Sequence, residues 1–249
     1  MCFFKPFYGV LKVTKAGVSL VRRILLRHDL DKRFGIKGIW KILDIEKRIG
    51  VRSTFFIRED VLYNDEALII AEELSRNGWE IAFHLAQTAD FTKASEELRS
   101  FEKKFSIKPL GVSPCGSTVG WKGDITWKVM DSLGLKYVCG HGIPPESIKS
   151  KVMPDILTFD LFVREYGERS IEKIMNEISK SESESIGILT HPEWFVRSIG
   201  SNWGGKWMLR LSKLFLTLIR RNLLDKYYER LLLIMKAKGL EFARYVDLL

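Results

Sequence analysis

Along the chain, short runs of apolar and β-branched residues alternate with longer segments in which apolar residues recur every three or four positions. The short runs are typical of buried strands and the longer segments of amphipathic helices. This alternation predicts stacked βα units in an α/β domain. The predicted strands are Ile24–His28, Arg52–Ile57, Glu80–His84, Leu110–Ser113, Tyr137–Cys139, Ile156–Leu161, Ile186–Thr190 and Glu241–Tyr245.

Glycines stand where most of the predicted helices should end, namely at Gly50, Gly78, Gly134 and Gly239. Nothing resembles a linker between domains, so a single domain over 1–249 is expected. Strands with interleaved helices favour a barrel or a doubly wound sheet, and both place chemistry at the carboxyl ends of the strands. The predicted helices are Gly35–Ile49, Asp65–Asn77, Thr92–Phe105, Gly123–Leu133, Ser170–Ser181 and Leu223–Lys238.

The composition indicates a globular protein with one large core, since 46% of its 249 residues are hydrophobic and no apolar run is long enough to span a bilayer. Cys2, Cys115 and Cys139 are odd in number and far apart, which favours reduced thiols. Lysines interrupt the apolar residues of the N-terminus, so it does not resemble a secretory signal. We therefore expect a cytoplasmic protein.

The net charge of +9 is concentrated in two segments. Basic segments of this kind can bind nucleic acid, an anionic membrane surface or a phosphorylated substrate. Residues 1–28 and 194–224 contain basic residues and no acidic one. The second segment includes a basic amphipathic insertion at about 199–222. Its 206–221 stretch predicts a helix that lies on an anionic membrane, with peripheral localisation, or one that packs on the barrel or forms a homo-oligomer contact. Nucleic acid is disfavoured because no recognisable binding module is present.

All four histidines, His28, His84, His141 and His191, lie at or just beyond the end of a predicted strand. The acidic residues Asp29 and Asp31 follow His28 closely. If the strands are parallel, these side chains share one rim. Imidazole and carboxylate ligands are typical of a divalent metal site that activates water.

Several segments resemble motifs of the polysaccharide deacetylase (NodB-homology, carbohydrate esterase family 4-like) superfamily. LLRHDLD followed by a helix and GVRSTFFI resembles its first motif in the His-Asp-x-Asp variant. NGWEIAFH resembles its second motif and ILTHPEWF its last, while GLEFARYVDLL resembles its closing segment. The resemblance covers most of the chain and implies a single-domain distorted (β/α) barrel.

The resemblance also implies the roles of four residues. Asp29 corresponds to the general base, Asp31 and His84 to metal ligands, and His191 to the general acid. The implied activity is metal-dependent removal of an acetyl group from an N-acetylated sugar or glycoconjugate. The implied metal is zinc, with cobalt and nickel as alternatives.

Two departures from the family pattern leave alternatives open. Thr88 stands where a second metal histidine is usual, in a segment, HLAQT, that we expect to continue into a helical turn. The missing ligand could come from His28, His141 or Asp90, or the metal could be lost. The stretch SPCG also lacks the arginine that relatives carry before proline. Alternative functions are therefore an inactive sugar-binding protein and a hydrolase of another linear or cyclic amide.

Each site assignment also has a purely structural alternative. The acidic pair at 29 and 31 suits a helix N-cap, and His84 suits a hydrogen-bonded core position. Pro192 could fix His191 in a turn, and His141 is as compatible with a turn as with the site. His28 could support the aspartates or pack in the core. The candidates for substrate contact are Ser113 and three tryptophans that could instead be core residues, Trp121, Trp127 and Trp194.

Overall fold

A computed structural model describes residues 21–116, 121–154, 156–196 and 224–249. Every strand pair within these residues is parallel, as expected for stacked βα units. The strands are β1 (Arg23–Leu30), β2 (Thr54–Ile57), β3 (Glu80–Leu85), β4 (Gly111–Pro114), β5 (Tyr137–Val138), β6 (Ile156–Thr158), β7 (Ser185–Thr190) and β8 (Glu241–Ala243).

The helices of the described residues follow the predicted positions, with one addition. They are α1 (Ile36–Ile49), α2 (Asn64–Arg76), α3 (Phe91–Phe105), α4 (Asp124–Ser132), α5 (Phe159–Tyr166), α6 (Ser170–Lys180) and α7 (Leu224–Ala237). Gly50 ends α1 with a φ of 78°, as its predicted capping role requires. The basic insertion at 199–222, including 206–221, lies outside the described residues. No helix among the described residues has the length and apolar character needed to cross a membrane.

One predicted strand is wrong in its second half. We predicted a strand over Ile156–Leu161, but β6 ends at Thr158 and α5 begins at Phe159. Phe159 and Val163 are both buried, and their spacing of four residues places them on one helical face. Burial of these two side chains on a helix therefore outweighs the local β propensity of the segment.

The strands form one curled sheet in the order β5-β4-β3-β2-β1-β7-β6. The central strand β1 pairs with β7 along one edge, and along its other edge with β8 at residues 23–25 and β2 at residues 27–30. A parallel bridge between Val138 and Val152 brings the segment before β6 against β5. This arrangement is a distorted (β/α) barrel, and it confirms the predicted fold class.

The two faces of the sheet contain different cores. The outer face packs against the helices and carries most of the buried apolar residues. The concave face encloses a small aromatic cluster, and its floor is the 3-10 helix Tyr245–Leu248, whose first two amides donate to Thr54 and Glu80. The carboxyl ends of the strands lie at the opposite, open end. The concave cluster contains Leu25, Phe56, Ala82, Tyr137, Cys139 and Tyr245.

Helix α1 packs closely on the turn that follows β7. A Cβ atom at Gly38 would lie 1.8 Å from the carbonyl oxygen of Pro192, so only glycine permits this approach. Pro192 begins the 3-10 helix Pro192–Phe195, directly after His191. The contact therefore fixes the position of His191 at the rim.

Candidate active site

His28 and Asp29 are neighbours near the end of β1, and their side chains point to opposite faces of the sheet, as successive side chains of a strand do. His28 lies on the helix side, fully buried, where Nε2 donates to Glu46 and Nδ1 contacts the Thr190 hydroxyl at 2.5 Å. Both ring nitrogens are thus engaged in the outer core. His28 is a packing residue in this structure and does not face the other site candidates.

Asp29 lies on the concave face and forms a buried, two-pronged ion pair with Arg27. Arg27 Nε and Nη2 each donate to one carboxylate oxygen at 2.6 Å. The guanidinium also lies 4.7 Å from the centre of the Phe56 ring. Burial alone would raise the pKa of Asp29, but the Arg27 charge and then that of His84 hold it below its usual value. Arg27 therefore orients the aspartate. It supplies the arginine that the SPCG segment lacks.

Asp31 and His84 meet across the rim of the barrel. His84 Nε2 lies 3.0 Å from Asp31 Oδ1, while Nδ1 lies 2.7 Å from the Ser113 hydroxyl. The Glu193 carboxylate accepts from the backbone amide of Asp31 at 2.8 Å and from that of Lys32, which fixes the loop after β1. Both members of the pair are thus held by neighbours.

The charges around His84 oppose its burial. Burial lowers the pKa of this imidazole, but the carboxylates of Asp29 and Asp31 raise it to about 10. His84 Nδ1 lies 3.9 Å from Asp29 Oδ2, so the ring stands between the two carboxylates. In the absence of a metal this imidazole is a cation, and a bound metal ion would take over that positive charge.

His191 faces the same rim from β7 and is oriented by Asp160. Its Nδ1 donates to the buried Asp160 carboxylate at 2.9 Å, while Nε2 lies 4.0 Å from Asp31 Oδ2. Burial lowers the pKa of His191, but Asp160 and then Asp29 and Asp31 raise it to about 9. The ring therefore carries a proton at neutral pH, and Nε2 presents it toward the site.

Cys115 is the third donor at the Asp31–His84 pair. Donor atoms of Asp31, His84 and Cys115 all lie within 4.8 Å of one another, the single such group found among the described residues. Sequence reasoning placed Cys115 only among reduced thiols. The structure agrees that Cys115 and Cys139 are free.

The positions expected to complete the metal shell are not part of this donor group. The HLAQT segment is not helical, because His84 and Leu85 belong to β3 and the buried Thr88 lies in a turn before α3. Asp90 is exposed and caps α3 through the amide of Lys93. His141 is exposed on the rim, with its ring against Trp121.

The candidates for substrate contact also divide. Ser113 is fully buried behind His84, where its hydroxyl bonds the imidazole, so it is not available to a substrate. Trp127 is a core residue. Trp121 and Trp194 are half-buried, and Trp194 stands three residues beyond His191, so these two remain candidates.

Comparison with known proteins identifies the architecture through structure alone. No protein-family model and no curated protein matches the sequence. The structure is similar to a family 4 acetyl xylan esterase from Clostridium thermocellum in complex with a cobalt ion, with a TM-score of 0.58 and 14% identity over 91% of this chain and 89% of that one. The chain has the fold of the family 4 carbohydrate esterases. The fold that the sequence motifs implied is thereby confirmed.

Two other solved structures show how widely this esterase fold is used. An allantoinase is similar with a TM-score of 0.63 and 14% identity, covering 99% of this chain and 96% of that one. A pseudoenzyme of the same esterase family from Bacillus anthracis is similar with a TM-score of 0.56 and 15% identity. The match covers 91% of this chain and 65% of the pseudoenzyme chain. The same fold therefore occurs in an esterase, in an allantoinase and in a pseudoenzyme.

Sequence reasoning missed four residues of the rim: Arg27, Cys115, Asp160 and Glu193. Arg27 could have been found, since residues two apart in a strand share a face with Asp29. Asp160 was assigned to a strand that is in fact a helix. No local pattern marks Cys115 or Glu193, because their partners are distant in the chain.

Proposed function

We propose that this chain is a metal-dependent hydrolase that removes an acetyl group from an N-acetylated sugar or glycoconjugate. One observation supports the proposal above all. At one rim, the Asp29 carboxylate held by Arg27 and the His191 imidazole held by Asp160 both adjoin the Asp31–His84 pair. Positioned base, positioned acid and a metal-donor pair are the parts required for amide hydrolysis.

The donor atoms at the rim fit a divalent ion. Asp31 offers a carboxylate oxygen and His84 an imidazole nitrogen at a separation of 3.0 Å, and both ligand types suit zinc, cobalt or nickel. With Nδ1 of His84 bonded to Ser113, Nε2 is the ring nitrogen directed at the site. When bound, such an ion would polarise the acyl carbonyl and assist ionisation of the attacking water.

Two residues of this chain would move the protons. The Asp29 carboxylate, kept ionised by Arg27, accepts a proton from the water that attacks the acyl carbon. The resulting tetrahedral species breaks its carbon–nitrogen bond as His191 Nε2 donates a proton to the departing amine. Acetate and a free amine are the products. Asp160 keeps Nδ1 of His191 protonated and the ring in place throughout.

The sugar substrate rests on the resemblance to deacetylases and on the acetyl xylan esterase among the similar structures. Two further candidates come from the other similar structures. Similarity to the allantoinase favours a cyclic amide as the substrate of this chain. Similarity to the pseudoenzyme favours sugar binding without turnover.

The test combines elemental analysis of the purified protein with assays on three substrate groups: N-acetylated sugars, O-acetylated sugars and allantoin. We expect near-stoichiometric zinc, cobalt or nickel, and acetate release from an N-acetylated sugar. Turnover of allantoin alone would favour the cyclic-amide hydrolase. No turnover after addition of each metal, together with retained sugar binding, would favour the binding protein.

Asp160→Asn tests the assignment of His191 as the acid. Since Asp160 is the group that most raises the pKa of His191 above 6.5, its neutralisation should move the alkaline limb of the rate profile to lower pH. Asp29, Asp31 and Glu193 also adjoin His191, so part of the elevation should remain. The measurement is kcat/KM against pH.

The same substitution has a matching effect on stability. A histidine whose folded pKa is raised stabilises the fold fully below its unfolded pKa of 6.5, and this stabilisation disappears as the pH rises through about 9. The stability difference between wild type and Asp160→Asn should therefore shrink across that window. An unchanged alkaline limb would remove His191 from the role of acid.

A further inference from the structure

We propose that Cys115 is the third protein ligand of the metal site, so that the site has a carboxylate, an imidazole and a thiolate. The inference rests on the proposed function, because it assumes that Asp31 and His84 bind the metal. It goes beyond that function by assigning a donor that neither the motifs nor the expected shell contained.

The distances between donor atoms support the assignment. Cys115 Sγ lies 3.5 Å from Asp31 Oδ1, and His84 Nε2 lies 3.0 Å from the same oxygen. Ligand bonds of about 2.0–2.3 Å in a tetrahedron imply donor separations of about 3.3–3.8 Å. The observed spacings are close to these values. All three atoms lie within 4.8 Å of one another, so a small side-chain adjustment would close the set.

The fold fixes Cys115 beside His84 through the backbone. In the β3–β4 pairing, His84 stands opposite Ser113 and Leu85 opposite Pro114. The amide of Cys115 then donates to the carbonyl of Leu85 at 2.7 Å, which extends the ladder by one residue. The sulfur is therefore preorganised at the end of β4, while Ser113 holds the imidazole from behind.

The other polar neighbour of the sulfur is compatible with this role. Arg58 Nη1 lies 4.0 Å from Cys115 Sγ, and the guanidinium is itself paired with Asp60. The side chain of Cys115 is only half-buried, so solvent and a metal ion can reach it. Three protein ligands with one position left open is the arrangement of a hydrolytic zinc site.

A thiolate ligand predicts a distinct metal preference. Sulfur donors favour borderline and soft ions such as zinc and cobalt, whereas an all-oxygen and nitrogen site accepts manganese more readily. Loss of the sulfur should therefore weaken zinc binding far more than manganese binding. This difference separates a ligand from a residue that merely packs beside the site.

The test is titration of the 249-residue chain and three single variants with cobalt, zinc and manganese. Wild type loaded with Co²⁺ should show a thiolate-to-cobalt charge-transfer band in the near ultraviolet. Cys115→Ser should lose that band. Its zinc affinity should fall by more than the roughly 10–100-fold typical of losing an outer partner of a ligand.

The controls are Ser113→Ala and Cys139→Ser. Ser113→Ala removes an outer partner of His84, so it should weaken zinc binding within that 10–100-fold range and keep the charge-transfer band. Cys139 is buried on the concave face beside Arg27 and is not one of the three donors, so Cys139→Ser should keep the charge-transfer band.

A second measurement needs no variant and so does not depend on folding of Cys115→Ser. Iodoacetamide labelling followed by peptide mass spectrometry should show Cys115 reacting in metal-free protein and protected by Zn²⁺. The buried Cys139 serves as an internal reference.

The outcomes separate the two proposals. A wild-type protein that binds zinc, with no charge-transfer band and unchanged labelling of Cys115, would overturn the thiolate ligand and leave the metal site in place. A wild-type protein that binds neither zinc nor cobalt would overturn both the site and the metal-dependent function.

Discussion

Asp29→Asn should lower turnover by at least about 10²-fold, the loss typical of removing a general base. The amide cannot accept the proton of the attacking water. Metal content should stay the same, because Asp31 and His84 are untouched. The measurement is kcat for acetate release, with elemental analysis of the same sample.

The structure adds a cost that the sequence did not predict. Asp29 neutralises Arg27 in a fully buried pair, and removing one partner of such a pair costs about 3–5 kcal/mol. Urea unfolding of Asp29→Asn should therefore show a lower free energy of unfolding than wild type. Turnover should be measured at a urea concentration and temperature where the variant remains folded.

Asp44→Asn is the matched control for Asp29→Asn. It also replaces a carboxylate that pairs with an arginine, but on the exposed outer face of α1. Its stability should change by no more than about 0.5 kcal/mol, with normal turnover. Near-normal turnover of Asp29→Asn would remove Asp29 from the role of base.

Arg27→Met should destabilise the fold about as much as Asp29→Asn, because it leaves the Asp29 carboxylate buried without its partner. The expected loss is again about 3–5 kcal/mol. Burial, the largest influence on this carboxyl, would then raise the pKa of Asp29 with less opposition. The acid limb of the rate profile should move to higher pH, because the base must be ionised to act. The measurement is kcat/KM against pH.

The double variant Arg27→Met/Asp29→Asn separates charge from packing. If the single losses come from an unpaired buried charge, the double variant should be more stable than either single variant. Arg27→Lys should recover only part of the rate, since an ammonium group cannot reproduce the two parallel hydrogen bonds. An acid limb that stays in place in Arg27→Met would show that Arg27 does not keep Asp29 ionised.

The sequence alone determined the pattern of βα units, most element positions and the placement of chemistry at strand ends. These features depend on local periodicity and on glycine at helix ends, which neighbouring residues specify. The motif order also indicated the esterase fold. It named Asp29, Asp31, His84 and His191, and the structure brings these four residues to one rim.

The tertiary structure decided which other residues join them. Cys115 and Asp31 are 84 positions apart, and Asp160 and His191 are 31 apart, so their contacts depend on strand order and register. The orientation of β1 in the sheet decided which of its side chains point to the helices and which to the concave face. His28 packs against the helices, while Arg27 and Asp29 pair on the concave face. Such contacts require the curl of the whole sheet, because only the pairing of β3 with β4, and of β7 with β1 and β6, brings these side chains together.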